Sequence, residues 1–434
     1  MIQACVIFCV VFAILGYLTE QKILNPVTVI CIMWGGIVYL SSLMLFTLHE
    51  ARDETYGWIL WGLISYIIGY YVFRLFSKNG RIRFKVGNRS LTDEIIVSYQ
   101  RVYILYYICI VYIVYRISRY GAAIIGAGFN LTAIGAVMSE ANIGDTGLIN
   151  AIGFLIATPL FLPLTVFFAV DFWMGKRDRK VLILTVIMTL GRIVIYGGRH
   201  PIIQLFTAMV VALTFSYSRY QNQFYEKVRS FGKKKGLLPT VMVGVLLFGY
   251  LTFTKTTAVS KTLYLDFAMQ PYMLQYWADN IGNQYAFGFA SLFGFIHPII
   301  YVLKNLFRVF SDMPDFFAII YNNIQGTFND WIPIGTILRA NAYASSFWYL
   351  YYDGRVFGII LGMFVWGMIS YIFFIKAKRR TSLLNVANYI MMSEAIIYTF
   401  TDMEFYKASY VLGFFYLNLL IYKKDHRKKS LNKI

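Results

Sequence analysis

The segment 197–201, Gly-Gly-Arg-His-Pro, combines a cation, an imidazole and a helix start. Two glycines relax the backbone and Pro201 suits the first turn of a helix, so Arg199 and His200 are predicted to lie at a helix N-terminus. Free N–H groups there favour an anion, and a guanidinium binds two of its oxygens at once. We predict that Arg199 binds a diphosphate. The alternative is an arginine directed to lipid headgroups, beside a histidine that caps the helix.

Arg192 precedes Arg199 by seven residues, which returns it to nearly the same helix face, about 10 Å deeper. An arginine inside an apolar segment is costly and usually faces a cavity or a partner. We therefore assign Arg192 to the diphosphate-binding residues, with a buried ion pair to Glu394 as the alternative.

Few residues are placed to take a proton from a hydroxyl group. The chain has four histidines, of which two lie in a short charged loop and in a basic tail. His200 and His297 remain as general-base candidates. His297 precedes Pro298 at the predicted start of a helix, so its alternative role is to cap that helix. Asp402 and Glu404, in the turn TDMEFYK, are the acidic candidates for the same proton transfer.

Metal and nucleotide sites have no sequence signal here. No H-x-x-x-H, D-x-D or carboxylate cluster is spaced to bind a metal, and no Gly-rich loop is spaced to bind a nucleotide phosphate. We therefore expect no metal and no cofactor. The four cysteines lie inside apolar segments without C-x-x-C spacing and are expected to be small core residues: Cys5, Cys9, Cys31 and Cys109.

Long apolar segments must position these residues. The chain has 434 residues, of which 59% are hydrophobic and 14% charged, whereas soluble domains carry about 25% charged residues. This composition excludes a soluble enzyme, a disordered chain and a disulfide scaffold. Because backbone polar groups must be satisfied inside lipid, the segments are expected to be helices. We predict an all-α polytopic membrane protein with eleven spans, at about 2–18, 26–48, 56–76, 99–117, 148–170, 181–198, 201–218, 237–254, 356–375, 384–400 and 405–422.

The distribution of basic residues sets the predicted orientation. The net charge is +19, and most of the 40 Lys and Arg residues fall on the same side of the eleven spans. Because Lys and Arg accumulate in the cytoplasmic loops of membrane proteins, we place the C-terminus in the cytoplasm and the N-terminus outside. We expect no nucleic-acid partner, since no basic face with interleaved aromatic residues lies on a soluble domain.

The spans divide the chain into three predicted regions. Residues 1–254 form an eight-span membrane bundle with basic cytoplasmic loops, and residues 355–434 form a three-span bundle with a basic cytoplasmic tail. Between them, the aromatic-rich loop 255–354 lies outside, and a connection of that length without a function is uncommon. We therefore expect function on the outer face. Apolar residues at helical spacing in this loop predict an amphipathic helix at the membrane surface: Ile299, Ile300, Leu303, Leu306, Phe307 and Phe310.

Several short motifs occur in order along the chain. Asn-Pro-Val-Thr at 25–28 opens the second predicted span, and the Gly-Arg turn at 198–199 follows midway. Asn-Ala-Tyr-Ala at 341–344 and Tyr-Tyr-Asp-Gly at 351–354 close the long loop before Gly358. This order resembles bacterial oligosaccharide repeat-unit polymerases, the Wzy-type O-antigen and capsule polymerases. That family commonly has N-x-Y-T and then D-F-G-x-x-G, where this chain has Ala344 for the threonine and no phenylalanine after the aspartate.

The resemblance implies a membrane glycosyltransferase of GT-C-like helical architecture in the bacterial inner membrane. Such enzymes transfer a growing glycan from undecaprenyl diphosphate to a lipid-linked repeat unit on the outer face, without a metal or a nucleotide. The implied partners are undecaprenyl-diphosphate-linked glycans, membrane lipid and a chain-length regulator, or polysaccharide co-polymerase. Arg339, near the end of the long loop, joins the diphosphate-binding arginines. The expected substrate-binding residues are Asn341, Tyr343, Asp353 and Arg308.

Two related functions remain open at this point. An O-antigen ligase would share the outer loop and the arginine, but it would use lipid A core as its acceptor. A lipid-linked oligosaccharide flippase would also be polytopic and basic, but it should bury its charges in a central cavity and lack an outer loop of this length.

Overall fold

The computed structural model describes residues 1–78, 97–126, 148–219, 259–341 and 343–422. These residues are mostly helical and include one two-stranded sheet, in agreement with the predicted all-α class. The predicted span 237–254 and the basic tail from residue 423 lie outside the described residues. Five helices among the described residues are long and apolar enough to cross a membrane: Ile2–Glu20, Asp53–Ser77, Tyr99–Arg119, Ile149–Met174 and Ser345–Arg379.

The N-terminal half of the described chain consists of helices. Their bounds are α1 Ile2–Glu20, α2 Pro26–Ser42, α3 Asp53–Lys78, α4 Tyr99–Arg119, α5 Gly121–Gly126, α6 Leu148–Ile152, α7 Thr158–Met174, α8 Arg179–Tyr196 and α9 His200–Arg219. A π-helical turn, Gly153–Ala157, joins α6 to α7. The second predicted span is shorter than expected, because Met44 and Phe46 adopt left-handed backbone conformations that cannot continue a helix.

The C-terminal half adds helices and one short sheet. The helices are α10 Val259–Ala268, α11 Gln270–Asn280, α12 Phe293–Asn305, α13 Asp315–Asn329, α14 Ser345–Arg379, α15 Leu383–Ile397 and α16 Ala408–Tyr416. β1 Ile332–Pro333 pairs antiparallel with β2 Arg339–Ala340, with Ile332 opposite Ala340. Two 3-10 turns, Tyr398–Phe400 and Glu404–Tyr406, lie between α15 and α16.

Two helix ends in and beside the predicted outer loop 255–354 differ from the sequence expectation. α14 begins at Ser345, and the break expected near residue 355 is a kink at Gly354 and Arg355 within this helix. The stretch 345–352 contains neither glycine nor proline, so nothing in it ends the helix. The amphipathic helix α12 begins at Phe293 and ends at Asn305, so the last three residues of the predicted apolar stripe lie beyond it.

The described residues pack into two compact units. The first takes its residues from the segments Met1–Gly87, Ser260–Lys376 and Met392–Val411. The second takes them from Asn88–Val259, Ala377–Met391 and Leu412–Ile434. Each unit combines segments from the N-terminal and C-terminal predicted regions, and the predicted outer loop belongs almost entirely to the first unit.

In the first unit, α1 and α2 form a tight hairpin around Asn25. The Asn25 side chain accepts a hydrogen bond from Thr28 N at 2.9 Å and caps α2, which has Pro26 at its first position. Asn25 also donates to Lys22 O and to Thr28 Oγ1, at 2.7 Å each. A Cβ at Gly16 would lie 2.8 Å from Thr28 Oγ1, so glycine allows α1 to approach closely. The Asn-Pro-Val-Thr motif therefore has a structural role as a helix cap.

α1 and α3 run in the same direction. Near their C-terminal ends, Glu20 pairs with Arg74 at 3.0 Å, and Thr19 Oγ1 lies 3.1 Å from Tyr71 Oη. Phe12, two turns earlier on α1, lines the same apolar groove as residue 64 of α3. The parallel arrangement is the one expected of the first and third spans in a chain that crosses a membrane back and forth.

α3 and α14 cross with their backbones in contact. A Cβ at Gly69 of α3 would overlap the carbonyl oxygen of Phe364. A Cβ at Gly367 of α14 would overlap the carbonyl oxygen of Tyr66. Small residues allow membrane helices to approach this closely, so the two glycines fix the crossing of α3 and α14.

The loops of the first unit meet at one end. Tyr264 of α10 donates through Oη to Leu40 O at 2.9 Å, which fastens α10 to the C-terminal end of α2. Arg52, just before α3, pairs with Asp279 of α11 at 2.5 Å. These contacts lie at the C-terminal end of α2, and the length of α2 lies between them and the Glu20 ion pair at the C-terminal ends of α1 and α3. α10 and α11, which belong to the predicted outer loop, thus lie at the opposite end of the first unit from that pair.

Tyrosines of α4 organise the second unit. Tyr106 donates through Oη to Leu164 O at 2.9 Å and lies 2.6 Å from Thr185 Oγ1, which joins α4 to α7 and α8. Tyr103, three residues earlier on the same face, donates to Asp178 at 2.8 Å. These contacts hold α8, the helix that leads into the turn at 197–201.

Candidate functional site

The turn between α8 and α9 has the predicted geometry. Gly197, just after α8, adopts a left-handed backbone with a φ of 58°, and α9 begins at His200. The backbone carbonyl of Arg199 accepts hydrogen bonds from Ile202 N at 3.0 Å and Ile203 N at 3.2 Å. Arg199 therefore stands directly before the first turn of α9, where the helix dipole favours an anion.

Arg192 is buried in the second unit, with 4% of its surface exposed. Its Nη2 donates to Gln204 Oε1 at 2.6 Å, and its guanidinium lies 5.1 Å from the centre of the Phe161 ring. Gln204, one turn into α9, is a neutral partner that the sequence analysis did not identify. Its contact with Arg192 joins α8 to α9 behind the turn. Glu394, the partner expected from sequence, is buried in the first unit.

Asp402, Glu404 and Lys407 form a buried charged group in the first unit, here called the acidic cluster. Lys407 Nζ lies 2.9 Å from Asp402 Oδ2 and 2.9 Å from Glu404 Oε1. The two acids are only 6% and 3% exposed, respectively. Burial raises the pKa of the Glu404 carboxyl, and the Lys407 ammonium opposes that rise. Two buried carboxyl groups therefore share one ammonium.

Helix ends position the acidic cluster. Ser346, in the first turn of α14, donates through Oγ to Asp402 O at 2.8 Å. Gly294 of α12 packs against the backbone of the same turn, since a Cβ there would lie 2.6 Å from Phe405 O. The turn 401–407 is therefore held between α12 and α14.

Aromatic rings lie beside the acidic cluster. Tyr406 stacks on Tyr349 of α14, with ring centroids 5.1 Å apart, and on Phe328 of α13 at 5.9 Å. Asn341 Nδ2 donates to Phe328 O at 2.7 Å. This predicted substrate-binding residue therefore lies next to the rings that border the acidic cluster.

The other polar residues predicted at the end of the outer loop have different surroundings. Tyr343 donates through Oη to Asp266 Oδ1 at 3.1 Å, which ties the loop to α10. Arg339 in β2 has an exposed side chain. Arg308 is also exposed and follows α12 with a left-handed φ of 51°. Both arginines thus face solvent, whereas the acidic cluster is buried, and their roles stay predictions.

His297 lies inside α12, four residues after its start, so the capping alternative is wrong. Its ring packs against Phe293 and Tyr321, with centroids 5.2 and 5.4 Å away. Gly294, one turn earlier, contacts the turn that carries the acidic cluster. Burial lowers the pKa of His297 to about 4, so its imidazole is neutral at neutral pH. A neutral imidazole is able to accept a proton.

Asp353 fastens a loop of its own chain. Its carboxylate accepts hydrogen bonds from Ala290 N at 2.8 Å and from Ser291 N at 3.1 Å. Asp353 is buried, with 8% of the surface of the whole residue exposed. The geometry gives Asp353 a positioning role, and its direct contact with substrate stays a prediction.

Lys407, like Gln204, is a site residue that the sequence did not point to. It falls in the first turn of the last predicted span, where a lysine is typical of an anchor at the membrane surface. The available signal was its spacing from the acids three and five residues earlier, because side chains three apart in a helical turn are neighbours.

The chemistry available to these residues is proton transfer by carboxyl or imidazole groups and anion binding by Arg199. Within the ranges that the structure describes, no group of three or more His, Cys, Asp or Glu residues is arranged to hold a metal ion. Comparison of the chain with protein-family models, with curated proteins and with solved structures gives no match.

Proposed function

We propose that this chain is a membrane glycosyltransferase that polymerises undecaprenyl-diphosphate-linked oligosaccharide repeat units into O-antigen or capsular polysaccharide. The reaction takes place on the outer face of the bacterial inner membrane, which the chain crosses eleven times. The observation that carries the proposal is the buried group of Asp402 and Glu404 around Lys407, in a turn that packs against α12, the helix of His297. Asn341 donates to the carbonyl of Phe328, whose ring stacks on Tyr406 of the same turn. These residues come from three segments that the sequence predicts on the same side.

The reaction exchanges one bond at the anomeric carbon of the growing glycan. The acceptor hydroxyl oxygen bonds to that carbon as its bond to the diphosphate oxygen breaks. The hydroxyl proton passes to Asp402, Glu404, His297 or His200, and negative charge develops on the leaving lipid diphosphate. Arg199, in the second unit, is the residue that the sequence offers for binding diphosphate, because a guanidinium at a helix N-terminus offers two aligned donors to phosphate oxygens.

Contacts within the first unit support the outer location of residues 255–354. Helices α10 and α11 contact the C-terminal end of α2 and the residues just before α3, through Tyr264 and Arg52. The pair of Glu20 and Arg74 belongs to the other end of the unit. If the basic loops lie in the cytoplasm, as the positive-inside rule requires, the end with α10 and α11 faces the periplasm.

Deletion of the gene tests this proposal against its alternatives. Without a polymerase, the ligase still transfers single repeat units, so a lipopolysaccharide gel should show lipid A core carrying one repeat unit. Loss of a ligase or a flippase leaves core without any repeat unit. Bare core in the deletion strain would therefore replace the polymerase proposal with one of these two functions.

The proton acceptor is identified with four variants expressed at matched membrane abundance. Asp402→Asn, Glu404→Gln, His297→Gln and His200→Gln each preserve size and remove the proton-accepting group. Because a positioned base contributes about 10²–10⁴-fold, the variant of the true base should resemble the deletion strain. Asp330→Asn changes an exposed acid of the outer loop and should give a full ladder. Full ladders from all four variants would remove the general-base step.

A further inference from the structure

A stack of aromatic rings runs from α3 to the surface of the first unit and is here called the open stack. Trp58 of α3 stacks on Tyr351 of α14, with centroids 4.7 Å apart and planes at 30°. The Arg355 guanidinium lies 5.1 Å from the Tyr351 ring centre and 4.7 Å from that of Tyr285. Tyr285 stacks on Phe287 at 5.8 Å and 24°. The open stack ends at Phe287, which is 73% exposed.

Backbone contacts hold the outer end of the open stack. Ala286, between the two outer rings in sequence, is buried, and its N–H donates to Tyr352 O at 3.0 Å. Phe287 N donates to Asp353 O at 3.1 Å. The Asp353 carboxylate also accepts hydrogen bonds from the backbone N–H groups of Ala290 and Ser291 in the same loop. These contacts hold the backbone of Phe287 in place, which reduces the entropy lost when a ligand binds.

The backbone at the open stack is strained at two residues. Phe287 and Arg355 have φ values of 51° and 56°, a region that residues other than glycine rarely adopt. Burial of the Phe287 ring does not account for this strain, because most of the residue is exposed. Strained backbone that the surrounding contacts hold in place clusters at ligand-binding sites.

Polar side chains border the exposed end of the open stack. Asn323 Nδ2 donates to Gln284 Oε1 at 2.6 Å and to Tyr352 Oη at 2.7 Å, and Gln284 is exposed. A matching ligand has an apolar face for the ring and hydroxyl groups at its edge for the amides. A pyranose has both, because its C–H groups lie on one face and its hydroxyls at the rim. A lipid chain would use the ring but not the amides.

We infer that the open stack binds a pyranose unit of the glycan substrate, through contact between the exposed face of Phe287 and the sugar C–H face. The inference rests on the proposed polymerase function and names the part of the outer loop that holds the sugar chain. Weaker binding of the growing glycan at the open stack releases the glycan earlier, so the open stack contributes to polymer length.

Phe287→Leu and Phe287→Trp test the open stack while keeping an apolar side chain. Leucine loses the flat face, and tryptophan keeps it. The probe is oligosaccharide released by mild acid from the surface polysaccharide of the source strain, measured by saturation-transfer NMR on purified protein in detergent. Because aromatic contacts change affinity modestly, Phe287→Leu should weaken binding about threefold to tenfold. It should also shorten the polysaccharide ladder in cells, and Phe287→Trp should retain both properties.

Phe307→Leu is the matched control, since Phe307 is 66% exposed and lies outside the open stack. It should bind oligosaccharide as the wild type does. Equal binding by the leucine and tryptophan variants of Phe287, or no binding by the wild type, would overturn the assignment. If Phe287→Leu gives normal binding and a normal ladder while Phe287→Ser shortens the ladder, an apolar side chain is sufficient at this position. The residue then serves the membrane interface, and the sugar assignment also fails.

The deletion strain separates failure of this inference from failure of the proposed function. Suppose that the deletion strain shows core with one repeat unit and that Phe287→Leu binds oligosaccharide normally. Only the role of the open stack in sugar binding would then fail. An unchanged ladder on deletion would remove the polymerase function itself.

Discussion

Lys407 Nζ stands 2.9 Å from Asp402 Oδ2 in the turn that leads into α16. The same ammonium contacts Glu404, so one cation allows two acids to be buried side by side. A buried charge without a partner is costly, and removing one member of a buried pair leaves that cost in place. The three side chains therefore form one electrostatic group.

Lys407→Met should lower the free energy of unfolding by about 3–5 kcal/mol, because it leaves two buried carboxyl groups without a counter-charge. Adding Asp402→Asn should recover part of that loss, because the remaining Glu404 carboxyl, whose pKa burial raises, is able to stay protonated. A double-mutant cycle on purified protein in detergent measures the coupling. Lys304→Met is the control, because its pair with the exposed Asp312 contributes at most about 1 kcal/mol. Additive effects of the two changes would contradict the shared-cation arrangement.

The pKa of His297 gives stability a pH dependence. Burial lowers this pKa from 6.5 to about 4, so between these values the unfolded chain binds a proton that the folded chain does not. The contribution of His297 to stability is therefore complete above about pH 6.5 and is lost as the pH falls toward about 4. Thermal unfolding across this range should show a steeper loss in the wild type than in His297→Gln. Parallel curves would show that the folded protein does not hold this imidazole neutral.

Arg199→Ala should leave the protein inserted and folded yet nearly abolish polymerisation. Losing one donor to a developing negative charge costs about 10²–10³ in rate. Arg199→Lys should recover only part of the activity, because lysine keeps the charge but not the two-oxygen geometry. Complementation of the deletion strain at matched membrane abundance measures this, with the exposed Arg101→Ala as control. A full ladder from Arg199→Ala would leave the turn 197–201 as a structural corner only.

Cysteines at positions 280 and 330 should react with an impermeant maleimide in intact spheroplasts. Asn280 and Asp330 are both exposed, and the four native cysteines are buried, so the background should be low. Arg179→Cys, at the start of α8 on the predicted cytoplasmic side, should react only after lysis. Labelling at 280 and 330 only after lysis would reverse the orientation and with it the side on which the reaction takes place.

Local signals in the sequence were sufficient for several elements. Asn25 and Pro26 form a capping pair whose geometry depends on neighbours within a few residues, and the start of α2 follows from them. The turn at 197–201 is equally local, because Gly197 supplies the left-handed residue and the next helix starts three residues later. For such features, spacing along the chain determines the structure.

Contacts between distant segments were not accessible from the sequence. The kink at Arg355 depends on partners near residue 285. The Arg355 side chain donates a hydrogen bond to Gln284 O, about 70 residues earlier in the chain. The pairing of Arg192 with Gln204 depends on the angle at which α8 and α9 meet. The start of α12 was not accessible either, because Pro298 is accommodated inside this helix and does not mark its first turn.

The crossing of α3 and α14 at Gly69 and Gly367 has a consequence for the timing of synthesis. α14 leaves the ribosome roughly 300 residues after α3, which corresponds to about 15–60 s at translation rates of about 5–20 residues per second. α3 is long and apolar enough to cross a membrane, and during that interval its Gly69 surface lacks the helix that covers it. A newly made α3 from a neighbouring ribosome offers the same small-residue surface. The emergence of α14 therefore ends a period in which pairing between two incomplete chains competes with correct assembly.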